Sequence, residues 1–102
     1  MLGLMQNWPL TVDKLLTHAA TWHEDTKVVS LSVEGTIVRT TYGELHHHAK
    51  RLTNALTGLG IRPGNRVATL AWNTARHAEA LYGITGTATV CHTLTPRLFF
   101  DQ

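Results

Sequence analysis

The spacing of apolar residues changes period along this chain, and each change marks an element. Val12, Leu15, Leu16 and Ala19 recur at helical spacing, which gathers them on one face of a helix running to Trp22 or His23. Its start is written in Leu10-Thr11-Val12-Asp13-Lys14-Leu15. Thr11 is an N-cap residue, Asp13 lies at the positive end of the helix dipole, and Leu10 is placed to pack on Leu15 as a hydrophobic staple. Beyond the polar His23-Glu24-Asp25-Thr26 segment the period drops to two. Val29, Leu31 and Val33 alternate with Ser30 and Ser32, and Ile37 to Thr41 follows Glu34-Gly35. Two short strands joined by a two-residue turn predict a β-hairpin.

The helical period then returns. Thr41-Tyr42-Gly43-Glu44 has the capping-box pattern, in which Thr41 accepts from the Glu44 amide and the Glu44 carboxylate accepts from the Thr41 amide. Leu45, Ala49, Leu52, Leu56 and Leu59 follow at intervals of 4, 3, 4 and 3, one continuous stripe, and Gly60 supplies a left-handed stop. Pro63-Gly64 marks a turn. Val67 to Trp72 is apolar enough to be covered on both faces, which predicts a central strand rather than an edge. Asn73 is a candidate cap for a further helix whose buried side carries Ala78, Leu81 and Tyr82 and which Gly86 closes; Thr87 to Leu94 is the next strand. Strand, helix and strand with brief connections make a parallel βαβ unit, so the class is α/β. One complete crossover does not cover a parallel sheet on both sides, and the sheet reads as unfinished.

Composition narrows this picture without redirecting it. The 102 residues, 43% of them hydrophobic, suffice for one small core, so residues 1–102 form one domain or a piece of one, with no second domain. Nine Lys and Arg against seven Asp and Glu give a formal charge of +2, and the basic residues are dispersed rather than gathered in a stripe, which argues against a nucleic-acid partner. Cys91 is the sole cysteine, which excludes an intrachain disulfide and a cysteine-based zinc site and fits a cytoplasmic location. Met1 to Pro9 lacks the basic start of a signal peptide, and no apolar run reaches the roughly 20 residues that span a bilayer.

Candidate chemistry is sparse. His46-His47-His48 project about 100° apart on a helix and do not converge as an i, i+4 metal pair would; His47 is expected to face solvent and His48 to border the core. His77 and Glu79 lie on the following helix. Cys91 and His92 are neighbours on a strand and point to opposite faces, so they do not form a nucleophile and base pair; a packed Cys91 and a hydrogen-bonded His92 are expected. Asn73 stands at a strand's carboxyl end and a helix's amino end, where open α/β sheets receive ligands, but Trp72-Asn73-Thr74 has no glycine to admit a phosphate. P-loop, dinucleotide-fold, nucleophile-elbow and paired-carboxylate patterns are absent from the sequence.

Several stretches taken together resemble the amino-terminal segment of the adenylate-forming acyl-CoA synthetases, the fatty-acid CoA ligases. They are Val28-Val29-Ser30 with Glu34-Gly35, Thr40-Thr41-Tyr42-Gly43-Glu44-Leu45, Arg51 to Leu56, Leu59 to Leu70 with its Arg62-Pro63-Gly64-Asn65-Arg66-Val67, Trp72-Asn73 with Arg76-His77, and His92 to Leu98. The last two are closest to the medium- and long-chain fatty-acid branch. The resemblance covers nearly all of this chain and about the first fifth of such an enzyme.

The resemblance implies a two-step reaction: a fatty-acid carboxylate attacks the α-phosphorus of ATP to give an acyl-adenylate and pyrophosphate, and the coenzyme A thiol then displaces AMP. It implies ATP, Mg²⁺ and CoA as the family's cofactors. The family's phosphate loop and catalytic lysines lie in segments outside this sequence, so no catalytic, cofactor-binding or metal residue is assigned, and this fragment alone is expected to bind no cofactor and to be inactive. Thr95 stands where the branch usually has Asn, and Phe99-Phe100-Asp101 replaces a more polar segment that opens the next helix. The expected reading is a fragment cut just before that helix. The chain alone is expected to self-associate through the unfinished sheet. A small binding or dimerisation module that uses the unfinished sheet as a docking edge and a non-functional remnant are the alternatives.

Overall fold

The structure, a computed structural model, describes residues 3–98. In chain order it comprises α1 (Val12–Trp22), β1 (Lys27–Leu31), β2 (Ile37–Thr41), α2 (Tyr42–Gly58), β3 (Arg66–Leu70), α3 (Ala75–Thr85) and β4 (Val90–Leu94). The α/β class and the order of elements agree with the sequence pattern. The Phe99-Phe100-Asp101 departure lies outside the described residues.

The capping box of α2 is formed in both directions. The Glu44 amide donates to Thr41 Oγ1 at 3.2 Å, and the Thr41 amide donates to Glu44 Oε2 at 3.1 Å. At the other end, Ile61 N–H reaches the Leu56 carbonyl and Gly60 N–H the Thr57 carbonyl, with Gly60 at φ +87°. That pair of bonds is a Schellman motif, and it requires the left-handed conformation Gly60 adopts without a Cβ penalty. The Arg62-Pro63-Gly64-Asn65 turn is fastened to the beginning of β4: Gly64 N–H donates to the Ala88 carbonyl and Val90 N–H to the Asn65 carbonyl, at 3.0 and 2.8 Å.

The other ends are less complete. Thr11 and Thr74 occupy the N-cap positions of α1 and α3, and neither makes a side-chain cap bond. The cap of α3 is therefore Thr74, not Asn73. Leu10 and Leu15 are 77% and 54% exposed, so the expected staple buries little. Leu16 is the buried residue of α1.

The hairpin turn also differs from the expected two-residue loop. β1 and β2 pair antiparallel from Lys27↔Thr41 to Leu31↔Ile37. Ser32 and Thr36 extend the pairing, with Ser32 N–H on the Thr36 carbonyl, and Gly35 N–H returns to the Ser32 carbonyl at 3.0 Å. The loop is thus the three residues Val33-Glu34-Gly35, with Gly35 left-handed at φ +83°, the three-residue hairpin in which a turn is followed by a left-handed glycine.

β3 pairs parallel with β4, from Arg66↔Val90 to Leu70↔Leu94, and β1 pairs only with β2, so the described residues form two two-stranded sheets. β3 is therefore an edge among the described residues. Its apolar run is covered on one face only: Val67 and Thr69 are half-buried, while Arg66, Ala68 and Leu70 are exposed. The run matches a strand that neighbours would cover twice, and one crossover helix supplies a single cover.

The core is where α1, α2 and α3 meet. Leu16, Leu45 and Ala49 are buried together, with Val28, Tyr42, Ala78 and Tyr82 packed against them. Ala75, Gly83 and Ile84 are the buried residues of α3, whereas Leu81, expected inside, lies at the surface. Gly83 explains the shift. A Cβ there would stand 2.9 Å from Leu52 Cδ2 and 3.0 Å from the Ala49 carbonyl oxygen, so α3 meets α2 through the face bearing Gly83, and Leu81 is rotated outward.

Candidate functional site

An open groove of about 1320 Å³ lies between the hairpin, α2 and α3. Ser30 and Thr40 come from the hairpin; Glu44, His48 and Arg51 from α2; Ala75, Arg76 and Glu79 from α3; Leu70 and Trp72 lie at the carboxyl end of β3. The stripe period of α2 buries Leu45 and Ala49, which leaves Glu44, His48 and Arg51 along the groove side of the same helix.

Two polar contacts tie its walls together. His48 Nδ1 meets Glu79 Oε1 at 2.8 Å across α2 and α3. The Ala75 amide, at the start of α3, donates to Ser30 Oγ of β1 at 3.3 Å. The hydroxyl of Ser30 thus takes up one of the orphan donors at the amino end of α3. Asn73 is exposed and Thr74 N–H bonds back to the Trp72 carbonyl.

The histidine triplet separates as its spacing requires. His47 is exposed, as expected, but His46 rather than His48 borders the core, and its Nε2 is enclosed without a hydrogen-bond partner among the described residues. Desolvation, and then the positive charges of Lys50 and His47, push the His46 pKa below the ordinary imidazole value. Elsewhere, His77 Nε2 lies 3.0 Å from Thr69 Oγ1, joining α3 to β3. Cys91 is half-buried, and burial pushes its thiol pKa up, which is the opposite of what a nucleophile needs. His92, expected to be hydrogen-bonded, is exposed. Cys91 faces Val67 and His92 faces Ala68 in the sheet register, on opposite sides.

No group of three or more His, Cys, Asp or Glu converges among the described residues. Chemically, the groove is a wall of mixed charge, in which the Thr40 hydroxyl donates to Glu44 Oε2 at 2.9 Å. Among the described residues no helix is long and apolar enough to cross a membrane.

The AMP-binding enzyme family matches residues 15–100. The chain belongs to the AMP-binding enzyme family. It is 47% identical over its whole length to a 3-methylmercaptopropionyl-CoA ligase of Ruegeria lacuscaerulensis and 41% identical to a medium-chain-fatty-acid–CoA ligase of Ectopseudomonas oleovorans, in each case spanning 19% of the relative. Among solved structures it superposes on a fatty acyl CoA synthetase of Mycobacterium tuberculosis with a TM-score of 0.71 at 30% identity, over 86% of this chain and 17% of that one. It also superposes on the N-terminal domain of FACL13 from the same organism, with a TM-score of 0.77 at 28% identity, over 86% of this chain and 22% of that domain. The chain therefore spans about a fifth of the relatives it matches.

Sequence reasoning missed Ser30, Gly83 and the His48–Glu79 pair. Gly83 carried a signal: a glycine inside a helix costs about 1 kcal/mol relative to alanine and calls for a packing reason. Ser30 and the His48–Glu79 contact had none, because each joins elements far apart in sequence.

Proposed function

We propose that this chain is scaffold for an adenylate-forming fatty-acid CoA ligase, which converts fatty acid, ATP and CoA to acyl-CoA, AMP and pyrophosphate. The observation that carries the reading is the family match over residues 15–100 together with relatives of 38 to 47% identity named as ligases. In this reading the role of the chain is to fix the relative positions of α2, α3 and the β3–β4 pair. Proton transfer, phosphate binding and metal coordination belong to segments supplied from outside residues 1–102. By itself the chain is inactive.

The test joins this chain to the remainder of the medium-chain ligase of Ectopseudomonas oleovorans in place of the matching segment. Fatty-acid-dependent pyrophosphate exchange is expected from the chimera and none from the chain alone. A soluble, folded chimera without exchange overturns the reading, as does exchange by the chain alone.

A non-catalytic binding module is the second reading, favoured by the exposed Val29, Leu31 and Ile37 on the hairpin. Light scattering across a dilution series separates the two. A scaffold segment self-associates through its bare strands, whereas a monomer that folds sharply at every concentration favours the module.

A further inference from the structure

The groove between the hairpin, α2 and α3 carries an imbalance of charge. Its three carboxylates have partners within the chain. Glu44 Oε2 accepts from the Thr40 hydroxyl and the Thr41 amide, and Glu79 Oε1 meets His48 Nδ1. Hydrogen bonds from its own backbone and from Ser32 hold the Glu34 carboxyl below the usual carboxylate range. The three guanidinium groups differ. Arg39 from β2, Arg51 from α2 and Arg76 from α3 line the same groove, and among the described residues none of them makes an ion pair. Arginine stays charged throughout the physiological range, and its planar fork matches the two oxygens of a carboxylate.

The rest of the lining narrows the occupant. Trp72 and Val38, 48% and 40% exposed, offer apolar surface in the same groove. The Arg97 guanidinium stands 5.8 Å from the Trp72 ring centroid and adds a further positive charge at that end. An open volume of about 1320 Å³ exceeds the roughly 300–1000 Å³ of small-molecule pockets, which favours an extended ligand over a compact one. Nucleic acid needs a continuous basic stripe, and the glutamates interleaved with these arginines oppose a uniform polyanion. Discrete carboxylates on a chain that also carries apolar side chains suit both features. We propose that this groove binds an extended acidic peptide segment of a partner protein, its carboxylates on Arg39, Arg51 and Arg76 and an apolar residue against Trp72 and Val38. The site stands apart from the ligase reading and does not depend on it.

The test titrates this chain into a short fluorescein-labelled peptide of alternating Glu and Leu and reads fluorescence anisotropy. Saturable binding that weakens as salt rises is expected. The matching peptide of Gln and Leu should bind about tenfold more weakly or worse, and the Glu peptide should lose as much on the double variant Arg51→Gln/Arg76→Gln. Arg62→Gln, in the turn after α2 and outside the groove lining, should bind as wild type does. Circular dichroism and melting separate lost binding from lost fold in the double variant, and the Gln peptide makes the same comparison with the protein unchanged. Equal binding of the two peptides, or equal binding by wild type and a folded double variant, overturns the proposal. So does a single-stranded oligonucleotide that binds more tightly than the peptide with the same arginine dependence, which assigns the groove to a polyanion. The titration is repeated on the chimera with the Ectopseudomonas oleovorans ligase, where the peptide should again bind. A chimera active in pyrophosphate exchange that no longer binds the peptide overturns this proposal and leaves the ligase reading standing; a folded chimera that binds the peptide without exchange does the reverse.

Discussion

The helical half of the molecule and the two sheets are built from residues of similar hydrophobicity, yet they are finished to different degrees. Between α2 and α3 the packing closes. Gly83 lets the helices touch, Thr53 Oγ1 donates to the Gly83 carbonyl at 2.7 Å, and Leu45 and Ala49 are 3% and 4% exposed. In the hairpin the outward face carries Val29, Leu31 and Ile37, each more than half exposed, and the β3–β4 pair is bare on one side. An amphipathic helix needs a single covered stripe, which two neighbours in the same short chain supply. An apolar strand needs both flanking strands and covers on its faces, and those come from far more chain than this.

Substitutions can break or sharpen that contrast. Leu45→Ala should cost the most, about 2–5 kcal/mol, because the side chain lies at the centre of the three-helix core; a denaturant midpoint close to wild type would mean that the core is not where the stability resides. Gly83→Val should cost about 1–3 kcal/mol, since the added atoms meet Leu52 and a rigid backbone carbonyl. Thermal unfolding reads this, and a neutral result would show that the helices separate freely. Thr41→Ala removes one arm of the capping box and should cost about 0.5–2 kcal/mol, seen as a lower midpoint and weaker amide protection in the first turn of α2. On the sheet side, Leu31→Ser should stay within about 0.5 kcal/mol in the isolated chain, because its side chain is already in water. A loss as large as that of Leu45→Ala would erase the distinction between the two regions.

The smallest effect expected is on pH dependence. The folded pKa of His46 lies below its unfolded value of about 6.5, so the unfolded state binds its proton first. Stability is then full above that value and declines as the pH falls below it toward the folded pKa. Equilibrium unfolding between pH 7.5 and about 5 should show this decline, and His46→Leu, which also removes the unpaired Nε2, should flatten it. An unchanged slope would assign the pH dependence to another group.

Much of the fold was legible in order and type because its signals are local. The capping box at Thr41 and Glu44, the stripe of α2, Gly60 and Pro63-Gly64 each act within a few residues, and they hold in three dimensions except at the end of the stripe, where Leu59 is the C-cap residue and is exposed. The reading failed where the deciding partner is distant. Leu81 was expected inside because helical spacing alone does not say which face meets a neighbour; the close approach at Gly83 decides that. Asn73 was expected to cap α3, but Thr74 takes the position, and the Ala75 amide is satisfied by Ser30 from the hairpin. His48 was expected to border the core, but the rotation of α2 puts His46 there and leaves His48 free to reach Glu79.

The sequence by itself determined the order and type of the elements, the capping box and glycine stop of α2, the placement of Cys91 and His92 on opposite faces, and the likeness to the ligases, because these depend on residue identity and short spacing. Tertiary structure alone decided which faces are covered. The alternation of Val29, Leu31 and Val33 marks a strand but not its inner side, and Val28 and Ser30 are the residues turned inward; β3 reads as a central strand yet stands at an edge among the described residues. Periodicity records that a face is apolar, whereas burial is a property of two surfaces, and for these sheets the second surface is not among residues 3–98.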